Sequence, residues 1–142
     1  MPFLGRLRFE VEPTKKTSII LTSSLSYFDR HGRKFTVPKG FSCDLASVPR
    51  WVRSISTPWN QSARPGCLHD ALYRWNEIWK IDRKEADEIY RDALTEEGVS
   101  RWRAWIQKMA VRMAAGAAWE RWRQTSVRIK GPEPPPIVMP TG

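Results

Sequence analysis

Apolar positions return along residues 67–79 with a helical period. At about 100° per residue, Leu68, Leu72, Trp75 and Trp79 fall on one stripe, with Ala71 and Ile78 at its edge. His69, Tyr73 and Asn76 run along the other edge at i, i+4 and i+7, while Asp70 and Glu77 point further out. Asp82 to Leu94 repeats the design: Ala86, Ile89, Tyr90, Ala93 and Leu94 form the buried face and Asp87 sits on its margin. Two helices joined by a tight turn pack antiparallel. That packing brings the Asp87 carboxylate to the His69 ring.

Ahead of these helices the period changes to two. Arg6 to Glu12 alternates charged residues with Leu7, Phe9 and Val11, and Pro13 stops it. Ser18 to Tyr27 is a second β stretch. Residues 29–33 form a hairpin turn in which Gly32 supplies a positive φ, with His31 solvated in the turn. Lys34 to Val37 is the returning strand, ended by Pro38-Lys39-Gly40. Ser47 caps a short helix over 50–56, and residues 58–66 are a loop. Ser100 caps a long helix from Arg101, with Trp102, Trp105, Met109, Met113 and Gly116 facing the core. Arg101, Lys108, Arg112 and Trp119 share the neighbouring face. Pro132, Pro134, Pro135, Pro136 and Pro140 keep the last twelve residues out of helix and inner strand. The pattern predicts an α+β domain over 1–130: a small N-terminal antiparallel sheet of hairpins packed on three to four helices. An extended proline-rich arm, 131–142, is expected to lie on a neighbouring chain.

Composition sharpens this. A chain of 142 residues with a 41% hydrophobic share is one domain with a modest core. Eight Trp point to wide aromatic packing or an aromatic contact surface. Arg101 to Lys130 carries eight Lys or Arg against one Glu, so +7 of the net +9 lies there. A basic, aromatic face of that kind grips phosphate or an anionic membrane surface, or is simply the solvated side of a core helix. DNA binding ranks third, because no groove-reading motif accompanies the charge. Cys43 and Cys67 make no disulfide framework, though the two could meet in one bridge. The start of the chain lacks the apolar run of a signal peptide or a membrane span.

An imidazole held by one carboxylate, with a second carboxylate beside it in sequence, builds a general base next to a cation site. The competing reading is a buried polar network in which His69, Tyr73, Asp87 and Arg83 satisfy one another and fix the register of two helices. Asp44 and Ser47 read first as a turn and a cap, and second as a ligand-facing loop over the His69 helix. A serine-type triad of Ser47, His69 and Asp87 ranks below both.

Residues 37–50 (Val-Pro-Lys-Gly-Phe-Ser-Cys-Asp-Leu-Ala-Ser-Val-Pro-Arg), then His69-Asp70-Ala71-Leu72-Tyr73, then Arg83 with Ala86-Asp87, resemble the bacteriophage family called domain of unknown function 1353. The likeness runs from about Leu7 to Trp119, with Cys43 where that family usually has Thr. It implies a phage or prophage origin, often among virion and tail genes: a virion-associated protein, made in the host cytoplasm, that works through contacts with other virion chains. The His-Asp helix followed by an Asp helix is also similar to the phospholipase A2 superfamily. That likeness implies a calcium-dependent lipid esterase acting on the host envelope. In it His69 activates water, Asp87 steadies the ring, Tyr73 braces the pair and Asp70 holds calcium. The superfamily's glycine-rich calcium loop and its disulfides have no counterpart in this sequence.

Overall fold

The computed structural model describes residues 3–4, 6–11, 18–44, 59–114 and 134–140. The architecture is α+β, as expected: two three-stranded antiparallel sheets and four helices among the described residues. Strands β1 (Phe3–Leu4), β4 (Leu25–Phe28) and β5 (Lys34–Val37) form one sheet in the order β1-β4-β5, with Tyr27 opposite both Phe3 and Phe35. Strands β2 (Phe9–Val11), β3 (Ser18–Leu21) and β6 (Ser42–Asp44) form the other in the order β2-β3-β6, with Ile19 opposite both Val11 and Cys43.

The stretch 18–28 is therefore two strands in two sheets. The polar Thr22-Ser23-Ser24 step breaks it, because short hydroxyl side chains compete for the backbone and supply nothing to bury. β6 was not predicted: read as a motif loop, it is the ladder partner of β3. The hairpin between β4 and β5 follows expectation. Asp29 Oδ1 accepts from the His31 and Arg33 amides at 3.0 and 2.8 Å, and Gly32 takes φ 76°. His31 is exposed.

Helix α1 spans Trp59–Arg74, which corrects the expected loop over 58–66. Pro65 removes one helical hydrogen bond, yet its ring is fully buried, so packing overrides the local preference. The helix is interrupted at Trp75, and α2 (Asn76–Trp79) ends on Lys80 in the left-handed conformation at φ 53°. That interruption resets the phase of the apolar stripe: Trp79 stays buried, but Ile78 turns outward, 54% exposed.

Asp82 caps α3 (Arg83–Glu96) by accepting from the Glu85 amide at 2.7 Å. The buried face of α3 is the expected one, with Asp87 drawn fully inside. In α4 (Arg101–Ala114) the expected core face is wrong. Trp102 and Trp105 are 58% and 53% exposed, and Ala104, Gln107, Ala110 and Val111 are buried instead. The smaller residues let α4 sit close against α3, and two indoles would have held it away.

The core runs between helices and sheets through aromatic pairs: Phe41–Trp75, Phe35–Trp79 and Trp75–Trp79, with centroids 4.9, 5.5 and 5.3 Å apart. Residues 134–140 lie against the β5 edge and Trp79 of their own chain. Val138 exchanges backbone hydrogen bonds of 2.8 and 3.1 Å with Lys34 at the edge of β5, and Trp79 Nε1 donates to the Pro135 carbonyl at 3.0 Å. Among the described residues, no helix is long and apolar enough to cross a membrane.

Candidate functional site

His69 and Tyr73 stand one turn apart on α1, and Asp87 faces them from the first half of α3. His69 Nε2 lies 2.9 Å from Asp87 Oδ1, and the Tyr73 hydroxyl donates to the same oxygen at 2.7 Å. The proximity expected from the two helical patterns is there. Asp87 is 0% exposed and His69 9%, so both hydrogen bonds lie in a dry environment that strengthens them. Because the carboxylate accepts, Nε2 carries the hydrogen, which leaves the Nδ1 lone pair as the basic site of the ring.

The ring is held on both sides. Tyr73 and Tyr90 place their rings 4.2 and 4.7 Å from it, both tilted. Burial, and then the hydrogen bond to Asp87, push the Tyr73 phenol well above its usual value, so it remains a donor. Arg83, at the start of α3, pulls that phenol the other way by hydrogen-bonding its oxygen. Tyr90 in turn reaches Gln107 Oε1 on α4 at 3.4 Å. Tyr90 and Gln107 are the members that sequence reasoning missed. Tyr90 was assigned to the core face of α3 alone, and the signal available was its position three residues after Asp87, on the same side of the helix.

One atom stands apart. Asp87 Oδ2 is buried and makes no hydrogen bond among the described residues. Arg83 Nε is buried and unbonded in the same way.

The remaining expected site residues are scattered. Asp70 is half-buried on α1, and its charge is felt at the Cys43 thiol on β6. Among the described residues no three His, Cys, Asp or Glu side chains gather closely enough to hold a metal ion. Asp44 pairs through its backbone with Ser18, and its side chain lies outside the described atoms. Ser47 and Trp119 lie outside the described residues. On α4, Arg101 is exposed and Lys108 and Arg112 are half-buried. Cys43 and Cys67 are free and buried, and their thiols are within hydrogen-bonding reach. Burial above all, and then Cys67, push the Cys43 thiol far up.

Two sheets against a helical layer, with a His–Asp–Tyr cluster between α1 and α3, define a small α+β protein with a buried, carboxylate-held imidazole. The family model described as "Protein of unknown function (DUF1353)" matches residues 19–111. The chain belongs to that family, and the match takes in the strands from β3 onward, the cluster and most of α4. No curated protein and no solved structure matches it.

Proposed function

We propose that this chain is a virion-associated phage protein, of the tail, that carries a hydrolytic centre for envelope phospholipid esters. In this reading His69 is the base, Asp87 orients it and Tyr73 holds the carboxylate. Water at Nδ1 gives up a proton to the imidazole as it attacks the ester carbonyl. The imidazolium, stabilised by Asp87, returns that proton to the leaving alcohol. No step is assigned to calcium.

The observation that carries the chemistry is the Asp87 carboxylate: wholly buried, with two donors on one oxygen and none on the other among the described residues. A purely structural network between two helices is expected to satisfy both oxygens, because an orphaned buried acceptor is costly. Charge held on a dry carboxylate beside an imidazole is how a base is oriented and its cationic form stabilised. The particle location rests on the phage origin that the family resemblance implies, and the exposed Trp102 on α4 offers a contact for a neighbouring chain.

The test is release of fatty acid from anionic phospholipid vesicles by the purified chain, with calcium and with a chelator. His69→Gln and Asp87→Asn, checked for fold by circular dichroism, are each expected to lower the rate by roughly 10²–10⁴-fold. A wild-type chain inert under both conditions overturns the hydrolytic reading. A proteomic inventory of purified particles that lacks the chain overturns the virion reading.

A further inference from the structure

Away from the His69 cluster a concavity lies where the end of β4 and its turn meet the outward sides of α3 and α4. The cleft encloses about 880 Å³. Its ionic side chains balance, with Arg30, Arg91 and Arg101 against Asp29, Asp92 and Glu96. They also hold one another. Arg30 forks onto Asp92 with two hydrogen bonds of 2.8 Å, Asp29 takes Arg33 Nε at 2.7 Å, and Arg91 comes within 3.7 Å of Asp92. In a chain of net charge +9, a cleft without net charge is not built for a polyanion. Paired guanidinium and carboxylate groups still offer unused donors and lone pairs at their rims, which suits an uncharged ligand bearing many hydroxyls.

Two further features point the same way. Trp105 lines the cleft with its indole 53% exposed, on a helix face where an indole gains nothing from the core. An exposed indole is a flat apolar platform for the C–H face of a sugar ring. Tyr27 lines the cleft from below. Its ring is packed on Phe3 at 4.8 Å and the residue is only 2% exposed, yet its hydroxyl makes no hydrogen bond among the described residues. Burial, and then the charges of Asp92, Glu96 and Asp29, hold that phenol protonated, so it stands as a donor on the cleft floor.

We infer that this cleft is a binding site for a neutral oligosaccharide, with Trp105 stacking on one sugar ring, the Tyr27 hydroxyl donating to it, and the Arg30–Asp92 and Glu96 side chains taking its hydroxyls. The site is separate from the His69 cluster and owes nothing to its chemistry.

The full chain, fluorescently labelled, is to be screened on a glycan array that carries neutral, amino, sialylated and sulfated oligosaccharides. Calorimetric titration of the strongest neutral hit follows. Neutral glycans are expected to bind, and Trp105→Ala should weaken them about tenfold or more. Tyr27→Phe should weaken them by roughly three- to tenfold. Its melting temperature should move little, since the hydroxyl has no hydrogen-bond partner to lose among the described residues. Ile78→Ala, at an exposed apolar residue outside the cleft lining, should bind as wild type. An array with no neutral signal, or with signal on sulfated and sialylated glycans alone, overturns the site. So does neutral binding that Trp105→Ala leaves intact, and that variant stays informative if Tyr27→Phe folds poorly.

Discussion

Replacing His69 by alanine strips the Asp87 carboxylate of one of its two donors and leaves a charged group without solvent to turn to. The expected loss is roughly 2–3 kcal/mol of folding stability, read from denaturant midpoints. Tyr73→Phe removes the other donor and should cost a similar amount. The double variant should cost more than the two losses added, because each single variant leaves the Asp87 oxygen one donor and the pair leaves it none. Strict additivity would mean that the two donors do not share that acceptor. His69→Gln, which can still donate, separates the two roles of the ring: it should keep most of the stability and none of the basicity.

Lys80 ends α2 with φ 53°, a conformation that costs a side chain about 1–2 kcal/mol and a glycine almost nothing. Lys80→Gly is therefore expected to raise stability by roughly 0.5–1 kcal/mol, seen as a higher melting temperature. A lower one would show that the lysine side chain earns its place through contacts of its own. Helices were legible in the sequence where one strong stripe met water on its other side, as in α3, whose buried face follows its apolar residues. They were not legible where packing chose among competing stripes. Tryptophan carries far more apolar surface than alanine, but α4 lies close to α3 and buries Ala104 and Ala110, and the indoles go outward. The loop expected over 58–66 gives way to helix for the same reason: Pro65 breaks the local preference, and its buried ring restores the helix through packing. The cluster itself was legible because His69, Tyr73 and Asp87 lie on helices whose phase fixes their direction. The cleft was not, since its walls come from residues far apart in the chain.

All three tyrosines, and Cys43 with them, have their ionisation pushed upward, in each case by burial first. A group that ionises more readily unfolded than folded stabilises the native state only below its unfolded value, and that contribution fades as pH rises past it. Stability should therefore begin to fall near pH ~8.5, as the unfolded thiol ionises, and fall more steeply beyond about pH 10, when the phenols follow. Cys43→Ala should erase the first part of the decline and leave the second. Melting temperatures measured from pH 7 to 11 check both, and a curve flat to pH 11 contradicts the burial of these groups.

The seat of Val138 on Lys34 closes the outer rim of β5. Without residues 134–140 that rim is a row of bare amides and carbonyls, the kind of border along which two molecules zip together. A chain clipped after Lys130 should sediment as dimers and larger species at concentrations where the intact chain stays single. Residues 134–140 then act as a cover on that border, and a protease that trims them would open it to a second molecule.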